Sequence, residues 1–317
     1  MRVAGVIELG WFVLLAALLA AASVNTRLLA ACAERDYPAG GAFLDVDGVR
    51  LHYAEQGGDG PAVVFLHGNP GSLHDFDAVL PLAARQELRA IAFDRPGHGY
   101  SERPAGQVDV HEQARLIHDA LAQLGVTKPI LVAHSWSGAL ALAYALDHPG
   151  EVRGLVLLAP VAYGSQRFGS GLEQATQVPV LGTILAWTVI APLAGKIVPG
   201  ILTVAYAPDR VPEDYAAAAL AMWMRPGAFL AWAQDMDLLQ DELNGMSPSY
   251  GSIAAPVQIV LGELDGLVPG DLHGRPLARA IPGAGLTVVP AFGHEVPQLR
   301  PDLVMDAVER ILEADAG

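Results

Sequence analysis

A serine, an aspartate and a histidine in this chain each stand just beyond a short apolar run: Ser135 after 130–133, Asp265 after 257–261 and His294 after 286–289. A hydroxyl is a poor nucleophile until a neighbouring base takes its proton, and the base must be held in one tautomer by a third, charged group. These three side chains can fill those roles if the fold brings them together. Ser135 lies in Ile-Leu-Val-Ala-His-Ser-Trp-Ser-Gly (130–138), ahead of a helix-forming stretch over 139–146, so it sits where a strand becomes a helix. Such a nucleophile elbow needs small neighbours because strand and helix approach closely, and Ala133, Ser137 and Gly138 are small. The strict G-x-S-x-G pattern is not met, and a buried serine capping a helix would leave the same local residues. The distant Asp265 and His294 favour the chemical reading.

The elements that must position these residues alternate in type. Two alternating runs, 42–46 and 49–54, flank Asp47-Gly48 and predict an antiparallel hairpin. Continuous apolar strands follow at 62–66, 90–93, 130–133, 152–158, 257–261 and 286–289. Helices are expected at 75–84, 110–124, 271–280 and 301–314. Strands apolar throughout, alternating with helices, imply an α/β fold with a mostly parallel central sheet covered on both faces. Residues 161–254 break the rhythm: helical pieces at 213–224 and 228–243, many Pro and Gly, and no clear strand read as an inserted helical cap. The core then comprises 42–160 and 255–317. In such a sheet Ser135, Asp265 and His294 all lie beyond the carboxyl ends of strands, where sites in open α/β sheets form.

Two further loops carry Gly and Pro after strands. His67-Gly68-Asn69-Pro70-Gly71-Ser72 can point backbone N–H groups into a site, although an ordinary tight turn has the same composition. Asp94-Arg95-Pro96-Gly97-His98-Gly99-Tyr100-Ser101 reads as a second rigid loop. With these loops, the elbow at 134–138, Asp265 in Gly-Glu-Leu-Asp, and Gly293-His294, the chain from residue 42 onward resembles the α/β-hydrolase superfamily. The resemblance implies Ser135 as nucleophile, His294 as base and Asp265 as orienting acid. It implies an oxyanion hole made by the backbone N–H groups of Asn69 and Trp136. The loops look most like those of capped dehalogenases and epoxide hydrolases, which attack with a carboxylate. Ser135 stands in that place here and points instead to acyl chemistry, with carboxylic ester hydrolysis through an acyl-enzyme as the default. Aminopeptidases acting on amino-terminal proline and carbon–carbon bond hydrolases share related features and stay open, as does a non-catalytic binding scaffold.

Other titratable residues fit other roles. His67 and His98 are expected to be satisfied within their loops, and His134 to face away from Ser135 because strand neighbours alternate. Glu263 is an alternative acid to Asp265, whereas the loop after Leu158 offers no carboxylate before Glu173. His111, His118 and His273 are expected on helices, facing solvent. Nothing has metal-ligand, dinucleotide or P-loop spacing, so neither a metal nor a cofactor is expected.

Composition narrows the partners. The 317 residues are 52% hydrophobic and 17% charged, with a net charge of −15 and lysine only at Lys128 and Lys196. No basic run could track a phosphate backbone, so the expected partner is a small hydrophobic molecule rather than nucleic acid. A single cysteine, Cys32, allows no intrachain disulfide. Residues 1–33 form a separate hydrophobic segment, apolar from Val3 to Val24 apart from Glu8, and about twenty such residues can span a bilayer. A membrane anchor is the favoured reading, with a cleaved secretory signal or a lipoprotein box at Leu29-Ala30-Ala31-Cys32 as alternatives. Residues 34–41 read as a linker. The apolar stretch 178–207 holds Pro179, Pro192 and Pro199 among several glycines and is expected to pack as cap core instead of spanning a membrane.

Overall fold

The computed structural model describes residues 2–164, 175–176, 178, 180–223 and 225–316. The hairpin forms as its turn chemistry demands: β1 (Ala42–Val46) pairs antiparallel with β2 (Val49–Gly57), and Asp47 and Gly48 both take positive φ, 53° and 81°. Two consecutive left-handed residues match the right-handed twist of the flanking strands, which is why Asp-Gly is favoured there. The remaining strands are β3 (Ala62–Leu66), β4 (Arg89–Phe93), β5 (Ile130–His134), β6 (Gly154–Leu158), β7 (Val257–Gly262) and β8 (Gly285–Val289). They join one sheet in the order β1-β2-β4-β3-β5-β6-β7-β8, parallel from β4 to β8.

The chain runs from β3 outward to β4 and then returns to place β5 on the other side of β3. That reversal opens a crevice beyond the carboxyl ends of β3 and β5. The loop after β3 and the turn after β5 are therefore neighbours, although about seventy residues separate them.

Helices cover both faces, which accounts for strands without a polar side. On one face α3 (Val110–Gln123) and α4 (Ser137–Asp147) bury Leu116, Ile117, Leu140 and Leu142 against Leu131 and Leu157. The terminal helix, Pro301–Ala316, covers the other with Val304, Val308 and Ile311 against Val132, Val156 and Val260. Asp109 caps α3 by accepting from the Glu112 N–H at 2.8 Å.

Several boundaries differ from the sequence reading. The expected helix 75–84 is split into a 3-10 turn, Leu73–Phe76, and α2 (Leu80–Arg85), because Pro81 has no N–H to continue the earlier turn and suits a new first turn. The strand expected at 152–158 starts at Gly154, and the helix expected at 271–280 starts at Gly274. The linker is shorter than expected. The first helix, α1 (Arg2–Asp36), runs through residues 34–36 because its last turns dock on the inserted helices: Thr26 Oγ1 donates to Trp187 O at 2.7 Å and Arg225 pairs with Glu34 at 3.3 Å.

Between β6 and β7 the described chain is helical. An α-helical turn (Leu181–Leu185), a π-helical turn (Ala186–Ile190) and a helix over Ala191–Tyr206 follow one another without interruption. Two prolines lie within this run: Pro192 falls in a first turn, and Pro199 sits inside the helix. Ile190, Val198, Leu202 and Tyr206 pack with Met222, Trp223 and Phe229 from helices Glu213–Trp223 and Pro226–Met246 into a cluster of their own. Both Gly10–Asp36 and Leu181–Tyr206 are long and apolar enough to cross a membrane, and the second is far more buried.

Candidate active site

Ser135 directly follows β5 with φ 54°, a left-handed conformation that costs a non-glycine residue about 1–3 kcal/mol. The surroundings over-determine it. Its N–H donates to Leu158 O at 2.9 Å, and its carbonyl accepts from Gly138 and Val161, each at 2.9 Å. Small neighbours are required here: a Cβ on Gly138 would lie 2.6 Å from Pro160 Cβ, and one on Gly68 would lie 3.1 Å from Ser135 Cβ. The Gly68 loop is thus laid directly against the serine.

Ser135 and His294 line one cavity of about 150 Å³ with Gly68, Asn69 and Trp136. Behind it, His294 Nδ1 donates to Asp265 Oδ2 at 2.7 Å. The other carboxylate oxygen of Asp265 accepts from the Leu267 and Val268 N–H groups at 2.9 and 2.8 Å. Burial alone would push Asp265 up, but the His294 charge, its hydrogen bond and the two backbone donors outweigh it and hold the carboxyl below the usual range. Burial alone would lower His294; Asp265, by charge and hydrogen bond, raises it above the ordinary histidine value. Among the sequence-derived residues, then, Ser135, His294, Asn69 and Trp136 share the cavity and Asp265 backs His294.

Glu263 is turned elsewhere, accepting from the Ala291 N–H at 3.0 Å. Glu173 lies outside the described residues.

A scan against family models matches residues 61–299 to the alpha/beta hydrolase fold family. The chain belongs to the α/β-hydrolase superfamily. An uncharacterised protein of Mycobacterium tuberculosis is 27% identical over 288 residues, 86% of this chain and 80% of its own length. Among solved structures, an alpha/beta hydrolase fold protein from Burkholderia ambifaria superposes with a TM-score of 0.73 at 25% identity, covering 84% of this chain and 96% of that one. An esterase from Exiguobacterium antarcticum superposes with a TM-score of 0.69 at 22% identity, covering 86% and 100%. An epoxide hydrolase and a haloalkane dehalogenase share the fold as well. This chain is an enzyme of that hydrolase superfamily.

Some histidines of this α/β hydrolase depart from expectation. His134 does not turn away from the site: it lines the cavity, its ring lies 4.7 Å from that of His294, and its Nε2 is 3.1 Å from His294 O. The strand ends at this residue, so pleat alternation no longer dictates its direction. Burial and the neighbouring His294 push it down to about 3, which keeps it neutral. His273 is buried ahead of its helix instead of solvent-facing, with Nδ1 accepting from the Ala162 and Tyr163 N–H groups at 3.3 Å. His67 is held by backbone, between Gly68 O at 2.8 Å and the Arg95 N–H at 2.9 Å. His98 meets Pro96 O of its own loop at 3.4 Å and, in addition, the Asn69 side chain at 2.8 Å.

His111 remains at the surface, 2.6 Å from Asp147. His118 is half-buried, stacked on His148 at 3.9 Å. With Glu151 these two bring three possible ligand atoms within 4.8 Å of one another, a grouping that linear spacing does not reveal. Both ring nitrogens of His118 already lie 3.0 Å from carboxylates.

Sequence reasoning missed four residues. Arg95, fully buried, donates to His67 O, Gly68 O and Gln113, and its guanidinium lies 4.1 Å over the Trp136 ring. It pairs with buried Asp235 from the inserted helices at 2.8 Å. An arginine in a Gly/Pro loop was a visible signal; its partner, 140 positions away, was not. Asp75 and Glu295 also line the cavity. Burial, and then the Glu295 charge, push Asp75 well up, while burial pushes Glu295 up to about 7.

Proposed function

We propose that this enzyme is a serine hydrolase that cleaves a carboxylic ester of a hydrophobic substrate through an acyl-enzyme. The observation that carries the reading is Ser135, strained at the strand-to-helix turn and facing the same cavity as a histidine bonded to a buried aspartate. Ser135 Oγ attacks the ester carbonyl while His294 Nε2 takes its proton. Asp265, holding Nδ1–H, fixes the tautomer that leaves Nε2 free to accept. The tetrahedral oxyanion is received by the N–H groups of Trp136, at the amino terminus of α4 where first-turn donors have no intrahelical acceptor, and of Asn69. His294 then protonates the leaving alcohol. Water, deprotonated by the same histidine, releases the acid.

The cavity walls support an apolar acyl group: Val161, Ile201, Ala205, Trp223, Met236 and Leu239 line it. Several come from the inserted helices, which supports dividing the chain into a core (42–160, 255–317) and a cap (161–254). The free part of α1 supports membrane association. Trp11, Phe12, Val13, Leu15 and Leu18 are exposed on a helix long enough to cross a bilayer.

Labelling with a fluorophosphonate and turnover of simple esters test the reaction. Ser135→Ala should abolish labelling and cut kcat by about a million-fold. Ester turnover by that variant at the wild-type rate would overturn the proposal.

A further inference from the structure

Beside the nucleophile the cavity is not uniformly apolar. Asp75, from the 3-10 turn after the Gly68 loop, and Glu295, next to His294, bring two carboxyl groups to one wall, 3% and 7% exposed. Neither takes part in the mechanism above. Asp75 Oδ1 accepts from Tyr215 OH at 2.8 Å, and Tyr206 OH donates to Gln298 Oε1 at 2.6 Å, so tyrosines from the inserted helices close this corner from above. Their rings lie 5.7 Å apart. Glu295 Oε2, however, is buried with no hydrogen-bond partner among the described residues. A buried carboxylate oxygen without a donor is costly, and a donor arriving with a ligand relieves that cost at the moment of binding. The wall formed by Ile201, Trp223, Met236 and Leu239 offers nothing of the kind. The cavity that Ser135 lines therefore has an apolar side and an acceptor side.

From this arrangement we infer that Glu295, backed by Asp75, forms a subsite for a hydrogen-bond-donating group, hydroxyl or ammonium, carried by the substrate. The inference deepens the ester-hydrolase reading and rests on it. The preferred ester is amphiphilic: an apolar part lies along the cap side and a donor group turns toward Glu295. A site built around a buried acceptor rejects an analogue that lacks the donor, because the acceptor then stays buried and unpaired. A hydroxyl is recognised by any acceptor at this position, whereas an ammonium gains as well from the negative charge that Glu295, pushed up to about 7, carries once ionised.

The test compares kcat/KM for propyl, hydroxyethyl and aminoethyl esters of one fatty acid, and for a matched set carrying the same terminal groups at the acyl end. The full-length enzyme is used in detergent. Wild type should prefer one donor-bearing ester over its alkyl counterpart by about tenfold or more. Glu295→Leu should erase that preference. Glu295→Gln should erase it if the donor is an ammonium and keep most of it if the donor is a hydroxyl. Because each preference is a ratio within one variant, any common loss of active enzyme cancels. Wild type that cleaves all the esters without preference, or Glu295→Leu that keeps the wild-type ratio, overturns the subsite. Wild type that cleaves none of them overturns the ester-hydrolase reading instead.

Discussion

Replacing Asp235 by alanine should both unfold the enzyme more easily and slow it. Asp235 has no solvent exposure and accepts from Arg95 at 2.8 Å, Gln113 at 2.9 Å and Arg103 at 2.8 Å. Its removal strands the Arg95 guanidinium, also without exposure, with only neutral acceptors at His67 O, Gly68 O and Gln113. Breaking one side of a buried ion pair typically costs about 3–5 kcal/mol, more than the pair itself contributes, because the surviving charge stays desolvated. At roughly 2–4 °C per kcal/mol for a chain of this size class, the midpoint of thermal unfolding should fall by about 6–20 °C. The catalytic effect follows from what Arg95 holds. It fixes the carbonyls of His67 and Gly68, immediately before the proposed oxyanion donor Asn69, and stacks on Trp136, the other donor. Scanning calorimetry of the detergent-solubilised enzyme reads the first effect. Ester kinetics well below the new midpoint read the second, as a fall in kcat exceeding any rise in KM. Arg95→Met combined with Asp235→Leu should recover much of the stability, since a packed apolar pair removes the stranded charge. An Asp235→Ala midpoint within about 2 °C of wild type, less than 1 kcal/mol, would refute the reasoning.

Other outcomes are expected on the same grounds. His294, raised above the ordinary imidazole value, must be neutral to take the Ser135 proton, so kcat/KM should fall as pH drops through a midpoint above about 6.5; a flat acid limb would exclude it as the base. The stability linkage has the opposite sense: a raised folded-state value contributes stability fully present below the unfolded value and lost as pH rises through the folded one, which unfolding midpoints across neutral pH will register. Gly138→Ala should cost about 1–3 kcal/mol and slow fluorophosphonate labelling, because the new methyl meets Pro160 Cβ at 2.6 Å; wild-type labelling and midpoint together would contradict the crowding argument. Deleting residues before Tyr37 should move activity from the membrane to the soluble fraction, and activity that stays wholly with the membrane would remove α1 as the anchor.

Much of the fold is legible in the chain because local rules decide it. Asp47-Gly48 specifies a turn that only left-handed residues fit, and strands such as Val63–Leu66 and Ile130–Ala133 have no polar side, which requires cover on both faces. The elbow is legible for a similar reason: Ala133, Ser137 and Gly138 are small where strand and helix nearly touch. What sequence leaves open is whatever depends on a partner far along the chain. Proline weakens a helix from within, yet contacts of the inserted helices with one another stabilise a continuous run around Pro192 and Pro199. Residues 34–41 read as a linker, yet Glu34 pairs with Arg225 and the first helix continues to Asp36.

The same division holds at the site. Ser135, Asp265 and His294 stand out singly because each follows an apolar strand, and the parallel sheet brings their loops to one edge. The ionic partner of Arg95, the inward turn of His134 and the joining of Asp75 with Glu295 in one wall carry no local pattern, because burial and charge act through space and only the folded chain sets those distances. Sequence thus determined the reaction class proposed here, through the identity of residue 135. Tertiary structure decided what surrounds that serine: an arginine that braces its loop, and two acids in one cavity wall, where we place the donor subsite.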